Sequence, residues 1–337
     1  MVLKKSSLPN FWAWLKRNKH WWQAIALVVT LFVAAHALQQ FILAQGYLVW
    51  MNNKQQFVTI LIFVLLLLPL NWFLEVWRWK ILCHPLYELS WRKSIQGVLY
   101  GIMAGLVTPN RLGEIGGKIA VLPTNLRASG LALSGLGALA QLIANWFWGG
   151  IALIVIPAGL IGLKLAWLGG IILASTCIAA LLFVNINNKV GQKFLFKSRI
   201  KKVLFWLFNS INLPQQNIEL TKNITSKNLA VVLLLSLLRY VVYALQYWLI
   251  LILFCPPIMS MPQYGIPTIA AVLFIQQIAP TVGLLEPALR GTIAAVVLKQ
   301  TVCSIPQSAV AATILLWAVN LLLPTFLGWF LYFKRAK

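Results

Sequence analysis

Aspartate is missing from this 337-residue chain, and five glutamates are all that balance 28 lysines and arginines. So few acids leave little room for acid–base or metal chemistry. No H-E-x-x-H, P-loop or nucleophile-elbow pattern occurs, and the three histidines, His20, His36 and His84, fall in different segments, His20 and His84 at interfacial positions. Cysteine is equally sparse. Cys83, Cys177, Cys255 and Cys303 are scattered without CxxC spacing and imply neither a metal site nor a disulfide framework. Charged residues make up only 10% of the chain. That excludes a soluble catalytic domain, and no cofactor or metal is expected.

What is abundant decides the class. A mean hydropathy of +0.83, 61% hydrophobic residues and sixteen tryptophans accompany apolar runs long enough to cross a bilayer. The chain reads as an all-α polytopic membrane protein, a single membrane domain over 1–337. Its net charge of +23 does not point to nucleic acid. The cations cluster at the ends of apolar segments, where they orient helices and meet anionic lipid of the inner leaflet.

Residues 1–20 are basic and aromatic, as an interfacial anchor is. The basic cluster and Ala35-His36-Ala37 mimic a signal peptide, but the apolar run resumes at Phe41 and reads as an uncleaved first helix. Six full spans are expected at about 22–44, 57–77, 131–156, 163–184, 229–254 and 309–333. Two further stretches, 95–122 and 266–299, are each apolar but broken, at Thr108-Pro109-Asn110-Arg111 and at Pro280-Thr281-Val282-Gly283. Thirteen helical residues reach ~20 Å, short of a ~30 Å hydrocarbon core. Each stretch therefore fits a re-entrant hairpin, or else one long kinked span.

Charge decides between these readings. With the N-terminus inside and both broken stretches as hairpins, twenty-one cations lie inside and three, Lys54, Lys164 and Lys299, outside. A single full crossing by the first stretch would move the basic loop 185–228 outside. The expected layout is a cell (inner) membrane protein with both termini cytoplasmic. Its halves, 21–157 and 158–333, each run span, span, hairpin, span with opposite orientation, the inverted repeat of transporters. Within the loop, Lys193, Lys197 and Lys201 face opposite Phe196, Ile200 and Leu204, as on a helix lying along the inner leaflet.

The candidate site lies at the breaks. Arg111, Glu114 and Lys118 share a helical face, with Asn110 at the turn, and Glu286 and Arg290 repeat the i, i+4 pairing in the other half. A charge at the bilayer centre costs roughly 2.5–3.5 kcal/mol, so these residues either neutralise one another or line a wet cavity for charged headgroups. Arg239, with Tyr243 and Gln246 on its face, and Gln141 with Asn145 add polar groups inside spans. Arg239 alternatively pairs with Glu286. Glu75, within i+3 of Arg78, reads as a surface pair near a helix end.

The motif TPNRLGE (Thr108–Glu114), the later APTVGLLEPALRG (Ala279–Gly291) and WRWKILCHPLYELSW (Trp77–Trp91) resemble the lysylphosphatidylglycerol synthase transmembrane-domain family, the flippase-like group. The resemblance covers nearly the whole chain, and departs from the family's glycine-rich pattern at Thr281 to Leu285. It implies a membrane domain that moves aminoacylated phospholipids between leaflets. It also implies that the aminoacyl-transferase domain of the full-length synthases is not part of this chain, so that any such synthase is a separate partner.

The expected function is that of a transporter, not an enzyme, moving phospholipids or aminoacylated phospholipids. Arg111 and the half-helix N-termini would hold phosphate, with Glu114 and Glu286 facing an amine. The rival readings are an intramembrane lipid-modifying enzyme with Glu114 or Glu286 as general base, and a non-catalytic scaffold. No sequence feature specifies an oligomer.

Overall fold

The computed structural model describes residues 19–108, 111–156, 163–186, 224–279, 285–299 and 303–336. Asn110, most of the basic loop with Lys193, Lys197 and Lys201, and Thr281 to Leu284 lie outside them. The described chain is helical, with no strand among the described residues. In chain order the helices are α1 (Lys19–Leu43), α2 (Gly46–Asn52), α3 (Lys54–Cys83), α4 (Trp91–Leu106), α5 (Gly113–Ile119), α6 (Arg127–Val155), α7 (Leu163–Val184), α8 (Ser226–Phe254), α9 (Pro262–Ile278), α10 (Glu286–Lys299), α11 (Pro306–Trp317) and α12 (Leu323–Ala336).

Local sequence sets the boundaries. Ser90 and Thr225 cap α4 and α8, accepting from the backbone N–H of Lys93 and Asn228. Proline occupies the first turn of α9 and of α11, where its missing N–H leaves no bond unmade. Between α11 and α12 the chain makes one π turn, Ala318–Leu322. Pro324 is the cause: it has no N–H for the carbonyl of Asn320, four residues back, and the helix widens there without ending.

Six helices are long and apolar enough to cross a membrane: Ala24–Leu43, Lys54–Cys83, Thr124–Val155, Ala166–Val184, Ser226–Phe254 and Pro306–Lys334. They match the six spans expected from hydropathy. Their outer faces carry exposed large apolar side chains, among them Phe63, Leu66, Trp167, Ile171 and Leu181, an arrangement stable in lipid and not in water. The multi-pass membrane class is therefore shown by the fold as well as by composition.

The two broken stretches each fold as consecutive short helices that pack on each other, α4 with α5 and α9 with α10. The first pair is antiparallel. Gly97 faces Val121 and Lys118, Gly101 faces Lys118 and Glu114, and Gly105 faces Glu114 and Arg111, so the partner number falls as the α4 number rises. Glycine at every fourth position, Gly97, Gly101 and Gly105 on α4 against Gly113 and Gly117 on α5, lets the two backbones touch. A Cβ on Gly117 would fall on the backbone of Tyr100, whereas one on Gly116 would meet nothing within 4 Å. Gly117→Ala is therefore expected to destabilise the protein by about 1–3 kcal/mol and Gly116→Ala to leave it unchanged, as read by thermal unfolding of the two variants in detergent.

Helix α3 packs along α8, α4 along α12, and α9 along α6. One correction concerns the cysteines. Cys255, just after α8, and Cys303, just before α11, form a disulfide, while Cys83 and Cys177 are free. The two bonded cysteines lie 48 residues apart in the chain, and no sequence spacing announces such a pairing; it exists because α9 and α10 go out and return to the same end of α8.

Candidate functional site

The polar residues of the long helices sit at mid-height. Arg239 is thirteen residues into α8, ~20 Å along a helix of 29 residues. Asn71 on α3, Gln141 and Asn145 on α6, and Asn320 in the π turn lie comparably far from their helix ends. These residues surround a cavity of about 550 Å³ that is also lined by Arg111, Glu114 and Lys118 from the first helix pair and by Gln276 and Arg290 from the second. That volume is within the range of small-molecule sites, roughly 300–1,000 Å³. Of the residues singled out from sequence, Arg111, Glu114, Lys118, Gln141, Asn145, Arg239 and Arg290 all reach this one cavity. Asn110 lies outside the described residues.

Glu75 is the centre of the charge network, contrary to its reading as a surface pair. It is 2% exposed. Its Oε1 accepts from Lys118 Nζ at 2.6 Å, and its Oε2 from Arg239 Nη1 at 2.7 Å and Arg78 Nη2 at 2.5 Å. The physical reason is helix length. Helix α3 continues to Cys83, so Glu75 stands ~12 Å inside the helix end, not at it. Arg239 pairs with this carboxylate rather than with Glu286, and its Nε donates to Asn71 Oδ1 at 2.9 Å. Asn71 in turn donates to Asn320 Oδ1, tying α3 to the π turn.

A second tier surrounds the hub. Arg78 also donates to Gln141 Oε1 and Ser236 Oγ, and Gln141 donates to Asn145 Oδ1. Lys118 Nζ bridges Glu75 and Glu114, 2.8 Å from Glu114 Oε1. Arg111 Nη2 lies 3.2 Å from Glu114 Oε2. Both oxygens of Glu114 thus have a cation. Every pair here is between groups that the interior would not hold singly.

The break itself holds Arg111 in an unusual backbone state. Its φ is +57°, the left-handed region, which costs a non-glycine residue of order 1–2 kcal/mol. Thr108 braces the turn: its hydroxyl donates to Ala104 O and accepts from Gly113 N–H at 2.7 Å. Strain at a residue that faces a cavity is the pattern of a functional position. Arg111 Nε is buried and has no hydrogen-bond partner among the described residues.

The second half contributes differently. The Glu286–Arg290 pair forms as the i, i+4 spacing predicts, with Arg290 Nη2 2.7 Å and Nε 2.9 Å from Glu286 Oε1. Glu286, however, is completely buried behind Arg290 and has no surface on the cavity. Its Oε2 has no hydrogen-bond partner among the described residues. Gln246 is likewise structural: it is buried and donates to Val64 O of α3. The aromatic wall is Trp72, Tyr240 and Tyr243, with Tyr240 stacked on Trp148 and donating to Ala270 O.

Sequence reasoning missed Glu75 as a hub and passed over Asn71 and Asn320. An amide or carboxylate inside an apolar span is costly in lipid and faces the bundle interior; that signal was present at all three. Among the described residues no group of three His, Cys, Asp or Glu is arranged to hold a metal ion. No family model, curated protein or solved structure matches this chain.

Proposed function

We propose that the protein is a lipid transporter of inverted-repeat type, a multi-pass protein of the cell membrane that passes phospholipid headgroups between leaflets through the central cavity. One observation carries this reading. The intramembrane charges of both halves meet in a single cavity at mid-height, bounded by two short helix pairs, which is where transporters of this layout bind their cargo. A fold needing these charges only for stability would keep them closed. Here Arg111, Glu114 and Arg239 each leave about a quarter of the side chain exposed.

Two further features support it. Two of the larger contacts agree with exchange of the halves: α4 against α12 corresponds to α9 against α6, and α3 against α8 to itself. This is the pattern expected if both helix pairs are re-entrant and enter from opposite faces. The disulfide also bears on orientation. Cys255 and Cys303 lie at the end of α8 opposite the basic loop, and disulfides persist in oxidising compartments. That agrees with cytoplasmic termini and a cytoplasmic basic loop. The resemblance to the flippase-like family points the same way.

The test is exposure of phospholipid on the outer leaflet in cells that have the protein, lack it, or carry Glu114→Gln. Exposure should fall on deletion and remain low in the variant, whose Lys118 and Arg111 lose their shared carboxylate. Equal exposure in all three would remove the proposal.

A further inference from the structure

The charges of the cavity do not cancel, and the surplus has a location. Glu75 and Glu114 are matched by Arg78 and Lys118, both buried and hydrogen-bonded to carboxylates or side-chain oxygens. Glu286 is matched by Arg290. Five cations against three carboxylates leave two positive charges, and these fall on Arg111 and Arg239, the two cations with the most exposed side chains in the network, 26% and 25%. Each retains donors. Arg111 engages Glu114 through Nη2, and Arg239 engages Asn71, Glu75 and Gln141 through Nε and Nη1 only.

Among the described residues, no carboxylate oxygen that lines the cavity is left unpaired. Glu75 and Glu286 are buried to 2% and 0%, and both oxygens of Glu114 are held by Lys118 and Arg111. The carboxylate oxygen of this network that has no partner among the described residues, Glu286 Oε2, is itself buried, so an ammonium entering this cavity would meet guanidinium groups first. A tetrahedral oxyanion would meet two planar forks, the geometry that arginine offers phosphate.

Resting on the transporter reading, we propose that the cargo is a lipid with a net negative headgroup, best matched by a terminal phosphate monoester, and that Arg111 and Arg239 hold that phosphate. A phosphate monoester brings about −1.5 to −2 charges at neutral pH, which offsets the surplus. A phosphodiester brings one. The cationic aminoacylated headgroup that the family resemblance implies would add to the surplus and is disfavoured.

The test uses the full-length protein in liposomes of phosphatidylcholine containing, in turn, phosphatidic acid, phosphatidylglycerol or aminoacylated phosphatidylglycerol, with binding and leaflet exchange measured for each. Phosphatidic acid should bind at least about tenfold more tightly than the aminoacylated lipid or phosphatidylcholine, a difference of about 1.4 kcal/mol. Arg111→Gln should erase that preference and Arg111→Lys restore part of it, with Arg239→Gln as the second variant. Inorganic phosphate added alone should compete only weakly; if it binds as tightly as phosphatidic acid, the site belongs to free phosphate and the lipid assignment is overturned. Equal binding and exchange of the aminoacylated lipid would overturn the proposal while leaving the transporter reading intact. Absence of exchange for every lipid would remove the transporter reading itself.

Discussion

Glu75→Gln is expected to lose about 3–5 kcal/mol of folding stability, enough to prevent accumulation of folded protein. The reasoning is electrostatic. Lys118, Arg78 and Arg239 all point at one buried carboxylate, and an amide satisfies their hydrogen bonds only in part and their charge not at all. Lys118 is left with Glu114 alone, and Arg78, 4% exposed, has no other acid within reach. Combining Glu75→Gln with Arg78→Met should recover a large part of the loss, because the pair is removed together. Expression level and thermal unfolding of the single and double variants give the answer, and a single variant as stable as the parent would mean that Glu75 is not the hub described.

Arg239→Gln is expected to separate function from folding. Glu75 keeps two cations when Arg239 is removed, so stability should fall by about 1.5–3 kcal/mol, less than for Glu75→Gln. Transport should fall as well, at temperatures where the variant is still folded. Truncating a buried charged donor that grips an anionic ligand costs at least about 2 kcal/mol, roughly thirtyfold in affinity. The contrast with Glu75 is the informative part. Both residues share one ion pair, yet Glu75 is enclosed and Arg239 is a quarter exposed to the cavity. Lipid exchange and thermal unfolding measured on the same preparation distinguish the two roles.

Much of this was legible in the sequence. Periodic apolar runs of twenty or more residues announce spans because a helix must satisfy its own backbone in lipid, and all six are present. The breaks at Pro109 and Pro280 announced short helices for the same reason. The cavity residues Arg111, Glu114, Lys118, Arg239 and Arg290 were legible because charge inside an apolar run has few stable explanations. What escaped was set by partners distant in the chain. Glu75 looked peripheral because helix α3 outlasts its most apolar stretch by two turns. The side of α10 that Glu286 presents depends on packing against α9 and α11, which hydropathy does not encode. The Cys255–Cys303 bond depends on where two intervening helices return. The glycine spacing on α4 and α5 was readable, and would have indicated an antiparallel pair in close contact.

The proposed transport requires that the net-positive cavity among these helices be open to water. Ala138 on α6 lines the cavity and is exposed, so a cysteine placed there, with Cys177 replaced by serine, reports on it directly. Membrane-impermeant thiol reagents of opposite charge and equal size are applied to the protein in liposomes. The account predicts modification of Ala138→Cys, faster by the anionic reagent than by the cationic one, with phosphatidic acid slowing both. No reaction with either reagent, or a faster reaction with the cationic one, would contradict it.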